Sequence, residues 1–351
     1  MPTIFRLRFY ILMNSNYRTS KRGDDNNLGG KVFDITKERP KVLILGNGIS
    51  KSDGNRSWSE LINDLSRNGM RDVNLPAQTP YSIKATIMTD PEDKIRFAKY
   101  QSELSNDKYK YVDNDILELL MKIPFDAVLT TNYTYEIEYV FDSRYPGLSN
   151  PTKRKYSTDL RKQGSKTSSE RIRGDTRYLI STFNRIEKDN YPLQDIWHIH
   201  GEQRRKSSMI LTHNEYVRLM FKIVEYFNSI GNKYEEKAGE LEFISWLDYF
   251  VLGELYIIGQ GFDFSEFDLW WLLGRRQREN INKIKMPTIR FYSPNIKEGE
   301  VIVDRVMSFF KGEDVVFDKK NKELGVVENG NRYREFYEYA VQDIKKSFDN
   351  K

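Results

Sequence analysis

The chain has 351 residues, which is one large or two modest domains. Hydrophobic residues make up 38% and aromatics 13%, with 22 Tyr and 20 Phe, and that much ring area excludes wholesale disorder. Lys and Arg number 56 against 51 Asp and Glu, so the net charge of +5 is too mild to mark a nucleic-acid binder, and the absence of Cys excludes disulfides, cysteine nucleophiles, iron–sulfur clusters and thiolate zinc sites.

In chain order, the TIFRLRFYI stretch alternates loosely and reads as an edge strand, and residues 14–30 are polar and rich in Gly and Asn. The most apolar stretch near the start, Phe9 to Met13, is too short for a signal segment, and no transmembrane run follows. The expectation is a soluble, cytoplasmic chain with no membrane partner. Five apolar runs then end in polar or glycine clusters. They are KVLILG (41–46), FDAVLTT (125–131), DIWHI (195–199), ELYIIG (254–259) and TIRFYS (288–293). Such short β-branched runs bounded by Gly, Asn and Pro read as buried strands. Helical patterns lie between them: Trp58, Leu61, Ile62 and Leu65 at helix spacing, 115–122, Asn214 to Ile230, and Phe267 to Arg278. A helix around Val301–Phe310, a Val315-Val316-Phe317 run and a terminal helix from Tyr333 to Phe348 follow.

Alternating β and α elements imply an α/β fold, a Rossmann-like open parallel sheet with helices on both faces and with helical and loop insertions. The expected divisions are a flexible segment at 1–30, a main domain at 31–295, and an α/β extension at 296–351 packed on it. Residues 144–177 read as an inserted solvated loop. Between Asn150 and Arg177 it carries nine Lys or Arg against three acidic residues, a local excess of six. Such a patch suits an anionic nucleotide, a nucleic-acid effector or an acidic partner.

Ligands of open α/β sheets sit beyond the carboxyl ends of the strands, and four runs place unusual polar residues there. Gly46-Asn47-Gly48-Ile49-Ser50, with Gly54, follows the first strong strand; its spacing is not that of the dinucleotide fingerprint, but its glycines would let backbone N–H groups approach a phosphate. Asn132 ends the second run, where an amide can hold a sugar hydroxyl and orient a water, or simply close a turn. His198 and His200 flank Ile199 and, in a strand, share a face. They read as a metal pair short of ligands, as a general base at His200 with Gly201 giving clearance, or as two structural histidines. Gly259-Gln260-Gly261, Asp263 and Asp268 follow the fourth run. Asp268 precedes a Trp-Trp pair that reads as helix packing.

The ordered set Gly-x-Gly-Ile-Ser-x-x-x-Gly, Thr-x-Asn, His-Gly and strand-Gly-x-Gly resembles the sirtuin superfamily, and within it the bacterial sirtuin-like proteins of antiphage defence. Gly46, Gly48, Ser50 and Gly54 fall on the phosphate loop, Thr130 and Asn132 on Thr-x-Asn, and His200-Gly201 on the catalytic His-Gly. Abortive-infection proteins share the Gly-Asn-Gly and Asn-Tyr-Thr elements; the His-x-His-Gly and Trp-Trp-Leu-Leu segments favour the sirtuin-like side. The zinc ribbon of the deacylases has no Cys to form it here. Their Ile-Pro-Asp-Phe-Arg is replaced by Asn55 to Ser59, and the Gln and Asp of their Thr-Gln-Asn-Ile-Asp by Thr131 and Thr134.

The resemblance therefore implies NAD as substrate, water as acceptor and no metal: an NAD+ hydrolase releasing nicotinamide and ADP-ribose. It makes Asn132 and His200 catalytic. It sets the nucleotide against Gly46, Asn47, Gly48, Ile49, Ser50, Gly54, Trp58, Thr131, Gly259, Gln260, Gly261 and Asp268. A homo-oligomer or a complex with a regulatory subunit is the expected assembly. A sensor that binds NAD or an ADP-ribose-type nucleotide without turnover is the alternative.

Overall fold

The computed structural model describes residues 31–51, 60, 75–76, 79–89, 114–142, 155–158, 167–172, 177–203, 205–231, 234, 239–279, 287–292, 310, 312–314 and 331–349. The strands are β1 (Lys31–Asp34), β2 (Lys41–Leu45), β3 (Ala127–Thr130), β4 (Lys155–Thr158), β5 (Thr167–Ile172), β6 (Phe183–Lys188), β7 (Gln194–His198), β8 (Glu240–Phe243), β9 (Glu254–Ile258), β10 (Ile289–Tyr292) and β11 (Gly312–Asp314). The helices are α1 (Gly48–Lys51), α2 (Tyr81–Thr89), α3 (Asp115–Met121), α4 (Glu136–Phe141), α5 (His213–Ile230), α6 (Trp246–Leu252), α7 (Phe267–Glu279) and α8 (Asn331–Asp349). The expected edge strand before residue 30, most of the helix around Trp58 and the helix at Val301–Phe310 lie outside the described residues, as do Gly54 and Trp58 themselves.

Nine described strands form one sheet in the order β11-β10-β9-β2-β3-β7-β6-β5-β4; β1 and β8 pair separately. The six strands from β11 to β7 are parallel, as the alternation of elements demands. The remaining three run antiparallel. They extend the expected Rossmann-like parallel sheet into a mixed, mostly parallel one. They also correct the reading of 144–177 as a loop, because β4 and β5 lie inside that segment and extend the sheet from β6. The cause of the misreading is compositional: polar, charged strands such as TSSERI carry no apolar alternation.

Alternate residues of the central strands feed two cores. Val42, Ile44, Ala127, Leu129, Trp197, Leu255 and Ile257 face α5, α6 and α7. Leu43, Leu45, Val128, Ile196, Tyr256 and Ile258 face α3, α4 and α8. A strand buried on both faces must be apolar at every position, which is why VLIL and LYII read as unbroken runs. α5 starts at a capping box, with Glu215 reaching back to the Thr212 N–H at 2.9 Å, and α6 at one built by Ser245 and Asp248. Among the described residues no helix is long and apolar enough to cross a membrane.

The chain turns sharply after β7. Gly201 has φ +96°, and a Cβ there would run into the Ser208 carbonyl and lie 2.7 Å from the Met209 Cα. A Gly201→Ala substitution is therefore strained by both conformation and backbone contact. It is expected to lower stability by about 1–3 kcal/mol or more, read as a reduced denaturation midpoint at unchanged slope.

Candidate active site

The registers end four parallel strands at one level. Leu45 is paired with Thr130 and with Ile258, and Thr130 with His198. Gly46, Thr131, Ile199 and Gly259 thus leave the sheet side by side. After β2 the chain adds β3 and β7 on one side and then returns to add β9 on the other, so the strand order reverses between β2 and β9. That reversal point is where a ligand crevice forms in open α/β sheets.

Two glycine turns meet at the reversal. The Gly46 N–H donates to the Ile258 carbonyl at 3.0 Å and the Gly48 N–H to the Gly259 carbonyl at 2.8 Å. A Cβ at Gly46 would strike the Gly259 carbonyl and the Gln260 amide; one at Gly48 would strike the Tyr337 hydroxyl and sit 2.8 Å from the Gly259 Cα. The glycines are needed for close approach of backbone to backbone. The N–H groups of Gly46 and Gly48 are committed to β9, which leaves their expected role as phosphate donors to other groups of the loop. Gly259 takes φ +69°, the left-handed region that suits glycine. Asn47 and Ile49 lie in the same turn, and the backbone of Ser50 continues α1. Gly261 is exposed, with open space around its Cα.

From β3, Thr130 ties the strands together. Its hydroxyl donates to the Leu45 carbonyl at 3.0 Å and accepts from the Asn132 N–H at 3.1 Å. The Thr131 hydroxyl donates to Gln260 Oε1 at 3.1 Å, and Gln260 Nε2 donates to Glu266 Oε1 at 2.6 Å. Glu266 Oε2 accepts the Asp263 N–H at 3.1 Å. Burial pushes the Glu266 carboxyl up to about 7; the nearby Asp268 charge adds to the rise and His200 opposes it. Asn132 is half-buried, and its side-chain amide makes no hydrogen bond among the described residues.

The two histidines do not share a face. His198 closes β7 on the α4 side, where its Nε2 lies 3.0 Å from Glu138 Oε1 and its Nδ1 2.8 Å from the Asn132 carbonyl oxygen. The chain then leaves strand geometry at Ile199, and His200 turns to the opposite layer. There its Nε2 lies 2.9 Å from Asp268 Oδ2 on α7, with the Tyr216 ring edge-on at 5.3 Å. This corrects the same-face expectation. Each ring is committed to its own carboxylate, so the two do not converge as a metal pair, and among the described residues no group of three or more His, Asp or Glu side chains is gathered as a ligand set.

Both pairs are buried. Burial, the largest single influence, would lower the histidines, but the Glu138 charge and hydrogen bond, the Glu202 charge and the Asn132 carbonyl together outweigh it and push His198 up to about 9. The charge of Asp268 likewise raises His200 above its ordinary value. Asp268, expected beside the nucleotide, is fully buried and serves as the hydrogen-bond partner of His200; its other oxygen, Oδ1, is buried without a partner among the described residues. Sequence reasoning missed Asp268 in this role, and missed Glu138 and Glu266 altogether. The only signal was their position: Glu138 falls on the apolar face of a short helix with Ile137 and Phe141, where an unpaired carboxylate would be costly.

A histidine with Nε2–H held by a carboxylate offers its Nδ1 lone pair as a base. The His200 Nδ1 makes no hydrogen bond among the described residues. The site thus brings the His200–Asp268 pair, an amide without a hydrogen-bond partner among the described residues and two glycine turns to one end of the sheet. Residues 126–240 match the family model described as SIR2-like domain. The matched segment contains Asn132, His198 and His200. A SIR2-like domain is an NAD-related enzyme fold, which agrees with the α/β sheet and the strand-end site. No curated protein matches the chain.

The raised value of His198 fixes a sign. The ring is charged in the folded state up to about pH 9 and in the unfolded chain only below about 6.5. Its contribution to stability is therefore full below pH 6.5 and is lost as pH rises to 9. Unfolding free energy measured by denaturant should fall across that window. In Glu138→Gln the fall should flatten or reverse, because burial then favours the neutral ring.

Proposed function

We propose that this chain is an NAD+ hydrolase that cleaves the nicotinamide–ribose bond to give nicotinamide and ADP-ribose. The observation that carries the reading is the meeting, on adjacent strand ends inside the SIR2-like segment, of Asn132, whose amide has no hydrogen-bond partner among the described residues, and His200, which is buried against Asp268. Nicotinamide leaves as a neutral molecule from a cationic bond, taking the electron pair with it, so the protein needs neither a metal nor an acid for departure. Asn132 holds the ribose or the attacking water. The water oxygen bonds to the ribose carbon, and His200 accepts its proton and returns it to solvent. Asp268 holds the tautomer that makes this possible and stabilises the imidazolium that forms. The turns at Gly46–Ser50 and Gly259–Gly261 lie at the point where the strand order reverses, which supports them as walls of the nucleotide site.

The resemblance to antiphage-defence proteins supports NAD depletion as the cellular consequence. An unrestrained enzyme of that kind is lethal to its own cell, which calls for restraint through assembly, a regulatory subunit or a nucleotide signal. The nine basic residues between Asn150 and Arg177 suit capture of an anionic effector.

Purified protein incubated with NAD should release nicotinamide and ADP-ribose in equal amounts. Asn132→Ala should reduce the rate about 100- to 1,000-fold and His200→Ala about 100- to 10,000-fold, with the fold intact by circular dichroism. Binding of NAD without any release of nicotinamide by the assembled, activated protein would make the chain a sensor instead.

The base must be neutral to act, and Asp268 raises its pKa. The rate is therefore expected to climb with pH through a value above the ordinary 6.5 of histidine. Asp268→Asn should move that rise to lower pH and lower the plateau. A plateau and midpoint unchanged in Asp268→Asn would remove His200 from the base role.

A further inference from the structure

We infer that His198 and Glu138 form a charged clamp that positions Asn132 for NAD cleavage, a task separate from that of His200. The inference rests on the reading of Asn132 as the residue that holds the ribose or the water.

Asn132 is caught on both sides of its Cα. Its N–H donates to the Thr130 hydroxyl at 3.1 Å, and its carbonyl oxygen lies 2.8 Å from His198 Nδ1. Fixing both neighbouring peptides fixes the direction of the Cα–Cβ bond, and with it the origin from which the side-chain amide swings; the amide makes no hydrogen bond of its own among the described residues. The sheet does not supply this grip. The last ladder bond between β3 and the chain after β7 runs from the Ile199 N–H to the Thr130 carbonyl at 2.9 Å, two residues short of Asn132.

The clamp is itself held. His198 Nε2 meets Glu138 Oε1 at 3.0 Å, the same oxygen accepts from Asn184 Nδ2 of β6 at 2.9 Å, and the Tyr135 ring stands edge-on to the imidazole at 5.2 Å. The side chains of His198 and Glu138 are 2% and 0% exposed. An imidazole donates from both nitrogens only when protonated. Two acceptors, one at each nitrogen, therefore call for the charged ring. The groups that act on its charge are Glu138 and Glu136 of α4 and Glu202 beyond the turn, all acidic. The rise of His198 to about 9 agrees with a charged ring at neutral pH.

Stability alone does not account for such a pair. A buried ion pair loses much of its Coulomb gain to desolvation, and apolar side chains of the same volume often stabilise as well or better. What the ion pair adds here is a directed donor at the Asn132 carbonyl.

Two substitutions separate positioning from packing. Asn places an amide N–H near the position of Nδ1, whereas Gln places one near that of Nε2. His198→Asn thus keeps the donor to Asn132 and gives up Glu138; His198→Gln does the reverse. The expected result is a kcat within about tenfold of the parent for His198→Asn and a loss of about 100-fold for His198→Gln, with KM little changed, the scale of an ångström-level misplacement. Rates that follow melting temperature instead of donor position, or a fully active His198→Gln, would overturn the clamp.

A second measurement needs neither NAD nor a variant. The chain has three histidines, so selective 15N-histidine labelling resolves each ring. At pH 7.5 the His198 ring of the unaltered protein should carry protons on both nitrogens. A ring unprotonated at Nδ1 would overturn the inference whatever the activity. A protein that shows the doubly protonated ring and the Asn132 contact, but never cleaves NAD, would instead refute the hydrolase reading on which the inference is built.

Discussion

Leu45, Thr130, His198 and Ile258 end their strands side by side, and nearly everything at the candidate site follows from that shared level. With parallel strands about 4.8 Å apart, four chain exits crowd into roughly 15 Å. Four sets of turn residues must then occupy a space that the helices on both faces keep largely dry. Backbone can enter such a space only where side chains are absent, hence Gly46 and Gly48 against Gly259. Polar groups can enter only if they satisfy one another, hence the chain from Thr131 through Gln260 to Glu266. The same chain links the end of β3 to the start of α7, so the helix that carries Asp268 is registered against the turn that carries Asn132.

Within this frame the two histidines divide by a single turn of the backbone. His198 is still in strand geometry and belongs to the α3, α4 and α8 layer; His200 is past the turn and belongs to the α5 and α7 layer. Each carries a buried carboxylate partner, so neither leaves an uncompensated charge in the interior. Their chemical positions differ. His198 has acceptors at both nitrogens, Asn132 and Glu138, which commits it to holding. Among the described residues His200 has an acceptor at Nε2 alone, which leaves Nδ1 for the proton transfer proposed for it.

The sequence made the central sheet legible because strands buried on both faces have to be apolar throughout, and KVLIL, AVLT and ELYII stand out from a charged background. The strand ends were legible for the same reason: each apolar run stops abruptly at Gly, Asn or His. The partners of those residues were not. Asp268 lies 68 positions from His200 and Glu138 lies 60 from His198, and only the crossovers of the sheet bring them together. The glycines were read as making room for a ligand, and their structural reason is a contact between two turns of the same chain. That distinction depends on the adjacency of β2 and β9, which no local pattern encodes. Residues 155–158 and 167–172 are not legible as strands because their polarity hides the period.

Those polar strands pair onto β6, and β6 changes the standing of β7. Without β6, β7 would be the edge of the parallel sheet, with one row of backbone groups unpaired beside the site. β6 pairs along it in antiparallel register, and Arg185 fastens the pairing by a fork of two bonds to Asp195 at 2.7 and 2.9 Å. A bidentate guanidinium–carboxylate contact fixes geometry as well as proximity. The next residue along β6, Asn184, points the other way and donates to Glu138. One face of β6 thus secures β7 as an interior strand, and the other face holds the carboxylate that holds His198. β5 and β4 pair outward from β6, so the described strands of the basic segment join the site through the sheet. From β5 the bonded path to Asn132 runs through β6, Glu138 and His198.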